Sequence, residues 1–163
     1  MRDIIISYFQ NFPEELATFL IAAIPVTELR ASIPIAIVGY GLSPFWAWFW
    51  SVLGNTAMGA LVIVIVEPIS RYLTKRVKFL NNLWKCYTSK IHKNNAKKFK
   101  KWGALALVTF VAIPLPVTGA FTGAVAASIF QVPFKKAVPL LFLGCVIAGV
   151  IVTGITMIAT HNT

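Results

Sequence analysis

Acidic residues are almost missing from this chain. Five Asp and Glu stand among 163 residues, against fifteen Lys and Arg. Charged residues make up 12% of the sequence and hydrophobic residues 58%. A soluble domain carries about 25% charged residues, so the composition excludes an ordinary soluble fold and predicts an integral membrane protein. Cysteine is scarce as well: Cys86 and Cys145 are the only two. Two isolated cysteines exclude a disulfide framework, and no CxxC or Cys/His cluster offers a metal its ligands. No nucleophile–base pair and no phosphate-binding glycine loop is visible, which argues against an enzyme and against a bound cofactor. A positive n-region of a signal peptide is not apparent either; Asp3, Glu14 and Glu15 precede the first apolar run.

The basic residues are unevenly spread. Eleven of the fifteen lie between Arg71 and Lys101, a stretch without one acid. Such a cluster between apolar segments reads as a cytoplasmic loop under the positive-inside rule rather than as a nucleic-acid surface. Within it Leu73, Val77, Leu80, Trp84, Tyr87 and Ile91 recur at spacings of three and four. That is one face of a helix. A basic amphipathic helix over 68–101, lying among anionic lipid head groups, is the expectation.

The rest of the chain is a motif written twice. Ala23-Ile24-Pro25 recurs as Ala112-Ile113-Pro114, 89 positions on. Pro44-Phe45 recurs as Pro133-Phe134 at the same offset, and Gly54 and Gly59 recur as Gly144 and Gly149 at an offset of 90. Each copy, 14–67 and 102–160, is a broken apolar run followed by a continuous one. The run from Leu16 to Leu42 is 27 residues long and is interrupted by Pro25, Glu28, Arg30 and Pro34. One span needs about 20 residues and two need about 40. A re-entrant hairpin of two short arms fits the length; a single tilted, kinked helix is the alternative. The run from Trp102 to Phe130 is broken in the same way at Pro114-Leu-Pro-Val-Thr-Gly119.

The continuous runs, Phe45–Val66 and Phe134–Thr160, each span a bilayer. Ser43-Pro44 starts the first as cap and first turn, and Glu67-Pro68 ends it. Trp46, Trp48 and Trp50 sit at its start, as interfacial aromatics do. Asn11, Pro13, Glu14 and Glu15 read as an earlier helix start, and residues 3–10 as a short surface helix. With the basic loop inside, the hairpins enter from opposite sides and Lys135 and Lys136 also fall inside. The predicted fold is therefore an all-α integral membrane domain over 1–163. It is an inverted repeat of two re-entrant helical hairpins, each followed by a transmembrane helix, with the basic amphipathic helix between them.

Glu28 and Arg30 are the only charges within the broken runs. Charge at bilayer depth costs a few kcal/mol or more (about 2.5–3.5 on insertion scales), so it marks function or a structural ion pair. Pro25, Pro34, Pro114 and Pro116 break the arms and leave backbone N–H groups at the tips, where anions are favoured. Thr27, Thr118 and Gly119 are placed to line the same cavity. Asn55 and Thr56 either face it or hydrogen-bond between helices. The candidate substrate and ion site is thus Glu28, Arg30, Thr27, Pro114, Pro116, Thr118, Gly119 and Asn55.

Pro25-Val-Thr-Glu-Leu-Arg-Ala-Ser-Ile-Pro34 and Pro114-Leu-Pro-Val-Thr-Gly119 resemble the bacterial and archaeal small multidrug export family, over about Glu14 to Ala159. That family is similar, at a distance, to the DedA or VTT-domain membrane proteins. The resemblance implies paired re-entrant loops, an inverted repeat and a transport role, with lipid scrambling or undecaprenyl-phosphate recycling as the distant relatives' work.

Three functions compete. One is a small transporter in the cytoplasmic membrane, moving an anionic lipid or amphiphile held by Arg30 and the tip backbone, with Glu28 carrying a coupling proton. The second is proton-coupled export of cationic lipophilic drugs, with Glu28 alternating between proton and drug. The third is a non-transporting, membrane-organising protein that binds lipid or a partner through its basic helix. The cation beside the acid tilts the reading towards the first. The small size of the chain admits a homodimer.

Overall fold

The computed structural model describes residues 12–76, 96–113, 119–130 and 132–161, with the backbone alone in 67–76 and 96–102. The described residues are helical and contain no strand. Helix α1 is Glu14–Ala23, α2 is Glu28–Pro34, α3 is Pro44–Arg76, α4 is Ala96–Ala112, α5 is Ala120–Ile129 and α6 is Phe134–His161. A π-helical turn, Ile35–Gly39, continues α2.

Local chemistry sets most of these limits. The α1 helix starts with Glu14 and Glu15 at the positive end of its dipole. Pro13 stands just before it, one position outside the first turn, and its carbonyl accepts the N–H of Ala17 at 2.9 Å. The helix ends at Ile24, whose ψ of 126° is extended. Pro25 comes next and excludes the helical conformation from the residue before it. Pro34 behaves differently. It does not break the second arm but sits inside it, and the next turn widens. A proline has no N–H to give and crowds the carbonyl four residues back, and a π-turn absorbs that mismatch. The arm closes at Gly41, whose φ of 73° suits a residue without a side chain. Leu42 N–H then reaches back to the Ala36 carbonyl at 3.0 Å.

The long helices extend further than the sequence suggests. Glu67-Pro68 does not end α3, which runs on to Arg76. One proline deletes a single hydrogen bond and bends a helix without having to stop it. Among the described residues, two helical stretches are long and apolar enough to cross a membrane: Pro44–Val66 and Phe134–His161. The α1 and α5 helices have ten residues each. At 1.5 Å per residue that is about 15 Å, half the roughly 30 Å hydrocarbon thickness. The first broken run holds two short helices, α1 and α2, on either side of Ile24–Thr27. In the second, α5 is short, but the helix before it, α4, has 17 residues and is longer than the short arm the run length suggests.

Packing obeys one rule in both halves. The first arm lies on its own long helix, α1 on α3 and α4 on α6, while the second arm packs on both long helices, α2 and α5 alike. Alanines fill much of the interior: Ala17, Ala22, Ala36, Ala120, Ala124 and Ala137 are fully buried. Large apolar side chains such as Leu61, Val64, Val150, Ile155 and Ile158 face outward. Small inside and large outside is the pattern of helices packed in lipid, where close backbone approach replaces hydrophobic burial. Gly54 has no room for a methyl against the Phe19 carbonyl, nor Gly144 against Val111. The proposed surface helix 3–10 and residues 77–95 of the basic segment lie outside the described residues.

Candidate functional site

The break in the first half is confined to Ile24–Thr27. Thr27 closes it locally: its hydroxyl donates to the Ile21 carbonyl at 2.6 Å and to the Ile24 carbonyl at 3.3 Å. These are end-of-helix carbonyls with no partner inside α1. Thr27 is thus engaged with its own arm. Glu28 N–H also returns to the Ile24 carbonyl, at 2.9 Å. The turn leaves Glu28 at φ 48°, the only non-glycine residue with positive φ among the described residues. Such a conformation is uncommon away from Asn, Asp and His, and it clusters at functional sites.

That turn aims the Glu28 side chain across the molecule. The residue is 8% exposed, and its carboxylate lies on Gly119, at the start of α5. A Cβ at Gly119 would occupy the space of the carboxylate. Phe121 N–H donates to Glu28 Oε1 at 3.4 Å. The physical reason is the start of α5. Its first N–H groups need acceptors, and Gly119, at the cap position, has no side chain to supply one. Thr122 takes the Gly119 N–H at 3.0 Å. Glu28 supplies the next acceptor from the other half of the chain, and its charge complements the helix dipole. Arg30 stands two residues on in α2, partly buried and close enough to attract the Glu28 charge.

A row of buried polar side chains continues from Glu28. Ser32 lies one turn along α2 and donates to Ser51 Oγ on α3 at 2.7 Å. Asn55 lies one turn beyond Ser51, is 2% exposed, and donates to Cys145 Sγ on α6 at 3.8 Å. Asn55 therefore works between helices. Of the sequence-derived site, the structure brings Glu28 and Gly119 into contact, keeps Arg30 beside Glu28, and sets Thr27 in the adjacent turn. Pro114, Pro116 and Thr118 lie outside the described residues. The sequence reading missed Phe121, Ser32, Ser51 and Cys145. One signal was available for Cys145. It stands 90 positions from Asn55, the offset of the glycine repeat, and residues related by a two-fold axis meet when they lie on it.

With this geometry in hand, comparison with known proteins places the chain. A family model described as putative small multi-drug export protein matches residues 28–151. The chain belongs to this family. Neither the curated proteins nor the solved structures give a match. The matched region begins at Glu28 itself and contains Gly119 and Phe121, so the junction between the two breaks belongs to the small multi-drug export unit. Membership in this family, together with the two apolar helices, supports a membrane protein of a multidrug-export family.

Proposed function

We propose that this protein is a small proton-coupled transporter that moves an anionic amphiphile, such as a lipid phosphate, across the cytoplasmic membrane. One observation carries the reading: the Glu28 carboxylate occupies the start of α5 and joins the two broken segments. A carboxylate there holds the breaks together through charge and dipole. A proton on Glu28 removes the charge and weakens the junction. The vacated N–H groups of α5, with Arg30 nearby, then suit the anionic head of a substrate. Release of the anion and of the Glu28 proton on the other side restores the junction and completes a cycle in which the two are coupled. The broken segments are hairpins entering from opposite faces, an inverted repeat around the junction. The basic segment 71–101 is cytoplasmic and sits on anionic lipid, and two copies associate as a homodimer.

Reconstitution tests this. Liposomes with the full chain are given a labelled polyprenyl phosphate or ethidium, with and without a pH gradient. The lipid phosphate is expected to move, faster with the gradient, and Arg30→Ala to stop it. Movement of ethidium alone would reject the anionic substrate in favour of cation export. Movement of neither, with lipid binding intact at the basic segment, would leave a membrane-organising role.

A further inference from the structure

A cavity lies away from this junction, at the end of the bundle where α1 and α3 begin. Pro13, just before α1, Glu15 and Leu16 of α1, and Trp46 and Trp50 of α3 line this cavity of about 320 Å³. The two indoles are one helical turn apart, on one face of α3. Phe49 holds both in place. Its ring is edge-on to Trp46 at 5.8 Å and 89°, and to Trp50 at 5.6 Å and 80°. Leu16 supplies an apolar wall and Glu15 an exposed carboxylate at its mouth. Two indole side chains and an anion around one opening complement a cation with an apolar tail. Trp-rich helix starts lie at head-group level in a bilayer. The cation offered there in quantity is the ammonium of a phospholipid.

We propose that this cavity binds the head group of an amine-bearing phospholipid, with the ammonium between Glu15 and the indoles and an acyl chain along Leu16. The site neither uses Glu28 nor depends on what the protein transports.

The test uses the purified full chain in a neutral detergent and short-chain phosphatidylethanolamine, with bound lipid counted by native mass spectrometry. An N-acetylated form of the same lipid keeps the phosphate and loses the ammonium. The amine lipid is expected to bind more tightly than its acetylated form, by about three- to ten-fold. Glu15→Gln should erase most of that preference, and Trp46→Leu part of it. Gly154→Ala, in open space on α6 and in neither site, should leave it unchanged. Glu15 is exposed, so its substitution does not endanger the fold. Equal binding of the two lipids would overturn the proposal, as would a preference that survives Glu15→Gln.

Discussion

The two halves of the molecule share a scaffold and differ at the point where each is broken. Gly54 meets Phe19 and Ala22, and Gly144 meets Val108 and Val111. Each partner is displaced by 89 positions and each glycine by 90. Gly59 meets Leu141 while Gly149 meets Val52, which is the same exchange between the long helices. Asn55 meets Cys145, its own counterpart. These reciprocal pairs are what an internal two-fold axis between α3 and α6 produces, and they support the inverted repeat proposed above. The breaks do not share in the exchange. The first half brings an acid and an arginine. The second brings Gly119, a bare backbone, and the open start of α5. Packing tolerates duplication because it needs only small residues at fixed spacing. A site that holds one charge needs two unlike parts, a side chain and a notch to receive it.

The sharpest way to break this division is at Glu28. Glu28→Ala removes the side chain that crosses between the breaks and leaves the Phe121 N–H without its acceptor. Transport is expected to fall about a hundred-fold or more, and the fold to lose about 1–3 kcal/mol, the cost of an unsatisfied buried group. Liposome flux and thermal unfolding in detergent read the two effects separately. Glu28→Gln keeps an acceptor and loses the charge. It should retain most of the stability while losing the response to a pH gradient. A gradient response that persists in Glu28→Gln would place the coupling proton elsewhere.

The notch should be nearly as sensitive. Gly119→Ala puts a methyl where the carboxylate lies, although the backbone itself is extended there, at φ −177°. The damage is therefore steric and depends on Glu28. Flux is expected to fall at least about ten-fold in the single variant. In the double variant with Glu28→Ala the stability cost of Gly119→Ala should shrink, a coupling of about 1–2 kcal/mol by a double-mutant cycle. Independent costs that simply add would show that the two residues do not act on each other.

Much of this was legible in the sequence because repetition, run length and proline are strong signals. The break before Glu28 comes from Pro25. The short helices α1, α2 and α5 lie in runs too long for one span and too short for two, whereas the 17-residue α4 exceeds the short arm expected there. Pro34 misled because its effect depends on the residues after it: Ile35–Gly39 close a wide turn that absorbs the proline within the arm. Glu67-Pro68 misled because one missing hydrogen bond does not outweigh an otherwise helical stretch. The acceptor role of Glu28 was hidden for another reason. Its partner is a backbone N–H, present at every residue but proline, and only the fold chooses which one. Gly119 was named for its bare backbone, without a way to know whose side chain would fill the space.

Smaller effects sharpen the likeness of the halves instead of the contrast. Gly54→Ala and Gly144→Ala should each destabilise by about 1–3 kcal/mol, the cost of overpacking a close contact. Gly54→Ala should be the worse, because the atom it meets belongs to the Phe19 backbone, whereas Gly144 meets the Val111 side chain. Gly154→Ala, in open space on α6, should instead be neutral or stabilise by roughly 0.5–1 kcal/mol, as alanine favours a helix over glycine. Unfolding midpoints of the three variants test the ranking. If Gly54→Ala and Gly144→Ala match Gly154→Ala, the two crossings are looser than the structure has them.

The smallest expected effect concerns the Ser32–Ser51 bond. By the repeat offset of 89, Ser32 corresponds to Phe121 and Ser51 to Leu140, so this hydroxyl pair has no counterpart in the second half. Interhelical hydrogen bonds within membranes are worth about 0.6 kcal/mol on average. Ser32→Ala and Ser51→Ala should therefore each cost about that much, and the double variant little more than either, because both remove one bond. Flux separates two roles for the pair. If it only fastens α2 to α3, transport tracks stability and barely changes. If the row from Glu28 to Asn55 belongs to the working site, Ser32→Ala lowers transport several-fold at nearly unchanged stability. The asymmetry of the halves would then extend two turns beyond the carboxylate into the contact between α2 and α3.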